Sequence, residues 1–416
     1  MKKSIVITLV ALMLLTLMAS TAPANPSSGR WVCVDTLAPA RSHFKCTFHQ
    51  RRGSIFLFGG RDSSGQFPDS VMEWRNNLWS TLDFTGPSGR IDFGMYYSYV
   101  HNNIVLFGGQ DPSGAYLGDT WVLSDTGWSQ MNIQGPSPRA GFCVTDDYYN
   151  SMIIFGGTDG QDCFGDTWKF DGTNWIHLSD EGPPPRVFGT MGIDEWIDGI
   201  GFDLFGGLAG CQDSALNDAW RWDGSIWSHL QPVYMTPEAR FGHMMGLDGF
   251  LGTIMFGGQD NDLPQNYFND TFDIYSYPDS FCYWGSLNSG LLPARSFGDM
   301  ATYFVEPVLI GGTNGSQTFH DMWQFRADNY RTYHPGDVNG NGVINSTDVV
   351  YFVNYLKGGP APPTNMHVAC PLLPDPFYAA ADVNGNCQVN GIDITFFVRY
   401  LKGEIPSLLY CSICPP

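Results

Sequence analysis

Two twelve-residue segments near the C-terminus carry oxygen-bearing side chains at the spacing of a calcium loop. Asp337–Asp348 and Asp382–Asp393 align without gaps, and each has Asp or Asn at positions 1, 3, 5, 9 and 12. At this spacing the side chains and the carbonyl of position 7 can converge on a hard cation. Two Asn-Gly turns are the structural alternative, but every ligand position is filled in both copies. We therefore predict two Ca²⁺ ions, held by Asp337, Asn339, Asn341, Val343, Asn345 and Asp348 and by Asp382, Asn384, Asn386, Gln388, Asn390 and Asp393.

An amphipathic helix is predicted to follow each loop. Apolar residues recur at positions i, i+3, i+4 and i+7, first as Val349, Phe352, Val353 and Leu356 and then as Ile394, Phe397, Val398 and Leu401. Both copies end in Tyr-Leu-Lys-Gly, and a glycine suits the end of a helix. The sequence thus predicts a pair of loop–helix units over residues 335–403, followed by a cysteine-containing tail, 404–416.

One helix per loop, with Asp rather than Glu at position 12, resembles a type I dockerin rather than a full EF-hand pair. The resemblance implies a calcium-dependent domain that docks on a cohesin-like protein or a cell-surface component. In that family loop positions 10 and 11 contact the partner, and the matching residues are Ser346, Thr347, Gly391 and Ile392. The second pair lacks the hydroxyl groups of the first, so the resemblance does not imply symmetric binding by the two copies.

A different pattern occurs six times within residues 31–330. An apolar run ends each time in a glycine pair, whose first members are Gly59, Gly108, Gly156, Gly206, Gly257 and Gly311. Successive pairs lie 49, 48, 50, 51 and 54 residues apart, and a period near fifty indicates a repeat architecture. The next apolar run is marked in turn by Trp74, Trp121, Trp168, Trp220, Phe272 and Trp323. With a fourth run in most copies, the pattern predicts four short strands per repeat, which is typical of a propeller.

The order of arginine, glycine pair and spaced aromatic residues resembles the kelch repeat. It implies a mainly β fold, a six-bladed kelch-type β-propeller, with the small α-helical calcium domain behind it. The sixth copy lacks a fourth run. The run that begins at Trp31 could supply it, because Trp31 precedes Arg41 by ten residues and the corresponding tryptophans of most other copies precede their arginines by eleven. We predict that this N-terminal strand completes blade six, because closure removes an exposed sheet edge. The arginines are predicted to bond carbonyl groups between blades: Arg41, Arg90, Arg139, Arg186, Arg240 and Arg295.

The loops after the glycine pairs are predicted to share one face of the propeller with the turns before the arginines. Their residues differ from copy to copy, and variable loops on a rigid scaffold are where binding usually resides. Turn formation is the alternative role of each Asp taken singly. The candidate face residues are Arg61, Asp111, Asp159, Asp213 and Asp260.

The N-terminus and the composition point to an exported protein. Lys2-Lys3, an apolar stretch from Ile5 to Met18 and Ala22-Pro-Ala24 follow the order of a signal peptide, here residues 1–24 of a bacterial-type export signal. No later segment is apolar enough to span a membrane. The 41 acidic residues against 21 basic ones argue against nucleic acid as a partner. We expect a secreted or cell-surface protein.

Ten cysteines in an exported chain are expected to form disulfides. Cys163 and Cys211 follow glycine pairs in adjacent repeats, and we hypothesise a bond that staples their two loops, with free thiols as the alternative. Cys370, Cys387, Cys411 and Cys414 could form two more bonds in the C-terminal region.

The residues of the propeller do not assemble into a recognisable catalytic set. His43 and His243 are the nearest candidates, each either facing the channel or packed between blades, and we expect packing for both. The sequence therefore favours a secreted recognition propeller, with a protein or glycan ligand, presented through a calcium-dependent docking module. The alternative is a secreted carbohydrate-active enzyme, similar to the sialic-acid mutarotases or the oxidases among kelch propellers. Several converging acids, arginines or histidines in the central channel would favour that enzyme, whereas apolar or small residues there would favour binding.

Overall fold

The computed structural model describes most of the region predicted as a propeller and parts of the C-terminal region. The described residues are 29–36, 38–147, 151–196, 199–211, 214–233, 235–248, 252–262, 264–277, 281–287, 292–303, 306–327, 336, 338, 344–359, 381–384, 388–405 and 408–409. The predicted signal segment 1–24 lies outside them. So do Asp337, Asn339, Asn341, Val343 and Asn386 of the calcium loops, Asp213 of the propeller face, and Cys370, Cys387, Cys411 and Cys414.

The chain divides into two compact units, and the second comprises the residues from Ala327 onward together with the short segment Tyr303–Glu306. The first unit is a ring of six four-stranded antiparallel blades, which confirms the predicted six-bladed propeller. A single strand, β1 (Gly29–Asp35), precedes the first blade. Apolar strand faces explain the packing: residues just before each glycine pair, such as Leu57, Leu106 and Ile154, are fully buried between neighbouring sheets.

The strands follow one another from the inside of each blade to its edge. Blades one to three comprise β2 (Arg41–His49), β3 (Ser54–Asp62), β4 (Val71–Arg75), β5 (Leu78–Leu82), β6 (Gly94–Ser98), β7 (Asn103–Phe107), β8 (Thr120–Ser124), β9 (Gly127–Met131), β10 (Cys143–Asp146), β11 (Met152–Phe155), β12 (Thr167–Phe170) and β13 (Trp175–Ser179). At blade four, two short strands, β14 (Arg186–Val187) and β17 (Leu208–Ala209), pair with each other. The remaining blades comprise β15 (Thr190–Trp196), β16 (Gly199–Phe205), β18 (Ala219–Trp222), β19 (Trp227–Pro232), β20 (Met244–Asp248), β21 (Gly252–Phe256), β22 (Thr271–Tyr277), β23 (Phe281–Leu287), β24 (Asp299–Tyr303), β25 (Glu306–Ile310) and β26 (Met322–Ala327).

The N-terminal strand closes the ring, as the repeat count predicts. The last sheet has the strand order β1-β26-β25-β24, so β1 is the outermost strand of blade six. Trp31 on β1 is buried, and its Nε1 donates to Thr271 Oγ1 of blade five at 3.0 Å. Trp175 makes the same bond to Thr120 of the preceding blade. Trp31 is therefore the equivalent, in blade six, of the outer-strand tryptophan Trp175 in blade three.

Blades four and five share an edge contact that the repeat pattern did not predict. The end of β19 pairs in parallel with the start of β23, through Gln231 with Phe281 and Pro232 with Cys282. The two blades thereby form one eight-stranded sheet.

The second unit contains two helices of equal length, α1 (Ser346–Leu356) and α2 (Gly391–Leu401). Both start with a capping box: Asn345 and Asp348 form it for α1, and Asn390 and Asp393 form it for α2. The core of this unit consists of buried apolar residues on both helices and beside the loops, namely Val338, Phe352, Ala381, Val383 and Phe397. The predicted loop–helix pair is confirmed in its described part. No helix among the residues described is both long and apolar enough to cross a membrane.

Candidate functional site

Five of the six repeat arginines form buried ion pairs inside their own blades. Arg139 is 1% exposed, donates from Nη1 to the carbonyl of Gly156 at 3.0 Å, and pairs through both terminal nitrogens with Asp166 at 2.6 and 3.0 Å. The same arrangement joins Arg90 to Asp119, Arg186 to Asp218, Arg240 to Asp270 and Arg295 to Asp321. These arginines therefore have a structural role. The aspartate of each Asp-x-Trp or Asp-x-Phe segment is the partner that the sequence reasoning missed.

The bonds between blades come from the main chain of the same arginines. The second glycine of each pair donates its N–H to the carbonyl of the arginine of the next blade, as Gly109 does to Arg139 at 2.8 Å. The prediction that the arginine side chains bond carbonyls is thus correct, but the carbonyls belong to the same blade. The glycine pairs are structural as well: Gly108 and Gly109 have φ of 67° and 100°, and a Cβ on either would lie within 2.8 Å of a carbonyl oxygen.

Blade one departs from this arrangement. Arg41 bonds the carbonyl of Gly59 at 2.9 Å, but it forms no ion pair with any residue of the described chain. The structural equivalent of Trp121 is Met72, because Met72 lies opposite Leu57 as Trp121 lies opposite Leu106. Trp74 is therefore not the equivalent of Trp121, which corrects the alignment made from sequence. Burial lowers the pKa of the Arg41 guanidinium to about 10.

The candidate face residues lie in loops that their own side chains hold in place. Asp111 Oδ1 accepts bonds from the N–H and hydroxyl of Ser113 and from the N–H of Ala115 at 2.6 to 3.0 Å, and these bonds lower the pKa of Asp111. Asp159 and Asp260 cap their loops in the same way. Arg61 is exposed at the end of β3.

The turns before the arginines bring these loops to one face of the ring, because Gln110 pairs with Ile91 and Thr158 pairs with Ala140. Recognition by this face remains a prediction.

Two of these loops are joined covalently. Cys163 in blade three and Cys211 in blade four form a disulfide, which confirms the hypothesis. Cys33, Cys46, Cys143 and Cys282 are free thiols. The disulfide lies beside Phe188, Phe241 and Leu208, a small apolar cluster on the same side of the ring.

The two histidines near the inner strands have different environments. His243 is buried, and burial lowers its pKa to about 3. Both rings line the cavity of the central channel, but His43 is partly exposed there, and its Nδ1 lies 2.7 Å from Asp92 Oδ1. The expectation that both histidines pack between blades is therefore wrong for His43.

The described calcium-loop residues place carboxylates in the interior of the second unit. Asp382 at position 1 and Asp393 at position 12 of the second loop are fully buried, as is Asp348 in the first loop. Asp393 accepts N–H bonds from Asn390 at 2.9 Å and from Asn384 at 3.3 Å. Burial, with a smaller contribution from the charge of Asp382, raises the pKa of Asp393 to about 6. Gln388 at position 7 is also in this segment. Buried carboxylates with oxygen-bearing neighbours are a donor set that suits Ca²⁺.

The predicted docking residues lie at the start of both helices. Ser346, Thr347 and Ile392 are exposed, and Ile392 shows 65% of its surface to solvent. Thr347 is partly committed to its loop, because its N–H and hydroxyl both donate to Asn345 Oδ1 at 2.7 and 2.6 Å. Gly391 has no neighbouring atom within 4 Å of the position a Cβ would take. The two copies therefore expose different chemistry at equivalent positions, and their role in docking remains a prediction.

Comparisons with known families agree with both units. Residues 22–195 match the family described as the KLHDC2/KLHL20/DRC7 Kelch-repeats domain, and residues 335–402 match the Dockerin type I domain. The chain therefore contains a region that matches a kelch-repeat domain, within a six-bladed propeller, and a second region that matches a type I dockerin domain. The kelch match covers the first half of the ring, and the strand order of the structure extends the repeat to all six blades.

A solved structure, titled "Structure of YjhT", resembles the propeller. It has 14% sequence identity and a TM-score of 0.55, and the match covers 71% of this chain and 99% of that chain. At this identity the likeness shows the fold alone. No curated protein sequence matches the chain significantly.

Proposed function

We propose that this protein is a secreted recognition propeller that the dockerin attaches, in a calcium-dependent manner, to a cohesin-like protein or a cell-surface component. A kelch propeller together with a dockerin is the composition of a protein-interaction module. The propeller supplies a rigid ring with variable loops on one face, and the dockerin supplies the attachment. The extracellular space is oxidising enough to keep a disulfide and contains enough calcium to fill weak calcium loops, which agrees with secretion.

One observation carries the calcium part of this proposal. The position-12 aspartates, Asp348 and Asp393, are both buried and both close a capping box at the start of a helix. A buried carboxylate is costly unless it is paired or coordinates a metal. A calcium ion in each loop would neutralise these carboxylates, and the helix that follows each loop would then be coupled to the bound ion.

The charge of the loops sets the expected affinity. Each loop supplies only two carboxylates, with amide oxygens at the other side-chain positions. Fewer charges weaken calcium binding, so we expect dissociation constants on the order of 10⁻⁴ M, the range of extracellular modules. Such sites are filled outside a bacterial cell and empty in a cytosol.

Calorimetric titration of the full chain with CaCl₂ tests the attachment. We expect two ions per chain, and binding to at least one member of a panel of purified cohesins only in the presence of calcium. A matched variant with Asp348→Asn and Asp393→Asn keeps both caps but removes two carboxylates, and it should lose both ions and the cohesin. A chain that binds no calcium, or that binds cohesins equally well in EDTA, would contradict the proposal.

A further inference from the structure

The mouth of the central channel is a closed ring of six residues, one from each blade. Each lies two positions after its repeat arginine: His43, Asp92, Gly141, Phe188, Gly242 and Phe297. Each donates its N–H to the carbonyl of the ring residue from the preceding blade at 2.7 to 3.2 Å. The ring closes because the N–H of His43 donates to the carbonyl of Phe297. The backbone at the mouth is therefore fixed, and only the side chains differ between blades.

All six ring residues adopt left-handed backbone conformations, with φ between 54° and 67°. Glycine adopts this conformation without strain, and it is present at two positions. At the other four, a non-glycine residue costs on the order of 1 kcal/mol. Strain of this kind is concentrated at functional sites. The side chains of His43, Asp92, Phe188 and Phe297 are therefore candidates for a role at the mouth.

The side chains form a polar half and an aromatic half. In the polar half, His43 Nδ1 lies 2.7 Å from Asp92 Oδ1, and both residues are partly exposed. His43 Nε2 and Asp92 Oδ2 bond no other described residue. In the aromatic half, Phe188 meets Phe297 edge to face at 5.3 Å, and Phe297 stacks on the His43 ring at 3.9 Å.

The two ring glycines make room for the aromatic side chains. A Cβ on Gly141 would lie 2.9 Å from the ring of Phe188, and a Cβ on Gly242 would lie 2.9 Å from the ring of Phe297. Lys45 lines a cavity of about 60 Å³ at the mouth, and its ammonium group forms an ion pair with Asp299 at 3.0 Å. That volume holds a few water molecules or one hydroxymethyl group, but no sugar ring.

We infer that this mouth binds the terminal residue of a neutral glycan. The C–H groups on one face of a pyranose are weakly positive and suit the negative face of an aromatic ring such as Phe188. Its hydroxyl groups can donate to Asp92 and bond His43 Nε2. An acidic sugar fits less well, because Asp92 lines the cavity and the charge of Lys45 is already paired with Asp299. The inference deepens the proposed recognition role of the propeller and rests on it.

Binding of methyl pyranosides to the full chain in CaCl₂ tests this inference. We expect neutral methyl glucoside, galactoside, mannoside or xyloside to bind at millimolar concentration or below, and the matching uronic acids and methyl sialoside to bind at least about tenfold more weakly. Asp92→Asn keeps the size of the side chain and tolerates a left-handed backbone. This variant and Phe188→Leu should each weaken binding by about tenfold or more. Leu78→Ser, on the exposed β4–β5 hairpin, is the control and should bind as the wild type does.

Three results would overturn the inference: no binding of any neutral pyranoside, preferential binding of the acidic sugars, or unchanged binding by Asp92→Asn and Phe188→Leu. Thermal unfolding of each variant shows whether it is folded, and if one of the two variants has unfolded, the binding of the other, folded variant carries the test. The calcium titration is a separate measurement. A chain that binds two calcium ions and a cohesin but no sugar refutes the sugar site alone, whereas a chain that binds the sugar but no calcium ion refutes the docking proposal alone.

Discussion

The N–H of Gly312 in blade six donates a 2.9 Å hydrogen bond to the carbonyl of Arg41 in blade one. The equivalent hydrogen bond joins each of the other five pairs of neighbouring blades, so bonds to the six arginine carbonyls continue around the whole ring. Five of these arginines also bind an aspartate and a glycine carbonyl within their own blade. Each of these five arginines therefore stabilises its own blade through its side chain and bonds the preceding blade through its main-chain carbonyl.

Breaking one of these buried ion pairs is expected to destabilise the propeller strongly. Asp166→Asn leaves the guanidinium of Arg139, which is 1% exposed, without its counter-charge. An uncompensated buried charge costs about 3 kcal/mol or more. Urea unfolding followed by tryptophan fluorescence measures the loss in the free energy of unfolding. The control is Asp159→Asn, because an asparagine can accept the same loop hydrogen bonds. Equal stabilities for the two variants would contradict the structural role of the pair.

The same pairs predict the response of the propeller to acid. Burial alone would raise the pKa values of Asp119, Asp166, Asp218 and Asp321, but bonds from the arginines outweigh it, so these pKa values lie below normal. A carboxylate with a lowered pKa contributes stability above the pKa of the unfolded chain, about 4. That stability is lost as the pH falls through the folded-state value. The free energy of unfolding should therefore drop below pH 4, and less steeply in Asp166→Asn than in wild type. An identical slope in the two proteins would be inconsistent with this origin.

These pairs also show how far the sequence could be interpreted. The repeat period and its arginines, glycines and aromatic residues predict the blades and the ring closure, because every blade must satisfy the same local geometry. The aspartate two residues before Trp121 recurs before Trp168, Trp220, Phe272 and Trp323, so the signal for the ion pairs was present. It was overlooked because an Asp next to a turn is usually read as a turn residue.

His243 is expected to make the propeller sensitive to mildly acidic pH. It occupies the position that Phe44, Phe93 and Phe142 hold in blades one to three, and neither ring nitrogen bonds a described residue. Burial lowers its pKa to about 3, whereas the unfolded chain has a histidine pKa near 6.5. The neutral ring therefore contributes full stability above pH 6.5, and that contribution is lost as the pH falls from 6.5 towards 3.

The substitution His243→Phe should remove this loss. One proton corresponds to about 1.4 kcal/mol per pH unit, so we expect the variant to gain about 2 kcal/mol relative to wild type between pH 7 and pH 5. Urea unfolding at both pH values gives the difference, and His177→Phe, on the exposed outer strand of blade three, is the control for a general loss of histidine charge. If the free energy of unfolding of His243→Phe differs from that of wild type by the same amount at pH 7 and at pH 5, the ring of His243 does not titrate as its burial implies.

The disulfide is expected to stabilise the folded ring. It joins cysteines 48 residues apart, and a loop of that length corresponds to about 4 kcal/mol in the chain-entropy model. Cys163→Ala with Cys211→Ala should lower the free energy of unfolding by about 2 to 4 kcal/mol. Reduction should destabilise the propeller of the wild type but not the propeller of this variant. The exposed free thiol Cys33 provides the control, since Cys33→Ser should leave the stability unchanged.

The channel mouth is the part of the candidate site that the sequence could not predict. The six ring residues share a backbone conformation but not a residue type, so no repeated letter marks them. His43 and Asp92 are 49 residues apart, and the packing of blade one beside blade two brings them within 2.7 Å. The calcium loops are the opposite case, because their ligands lie within twelve consecutive residues and local spacing is sufficient to recognise them.

Asp393 should affect the dockerin in opposite directions with and without calcium. Its carboxylate is buried together with that of Asp382, and like charges in the interior repel. Without calcium, Asp393→Asn relieves this repulsion and keeps an acceptor for the capping box, so thermal unfolding in EDTA should show a more stable dockerin. With calcium, the variant loses a ligand, and calorimetry should show one ion of normal affinity and one bound about tenfold more weakly or not at all. Glu404→Gln removes an exposed ion pair with Arg399 and should change neither measurement. A variant that is destabilised in EDTA, or that keeps both ions, would show that Asp393 acts only as a helix cap.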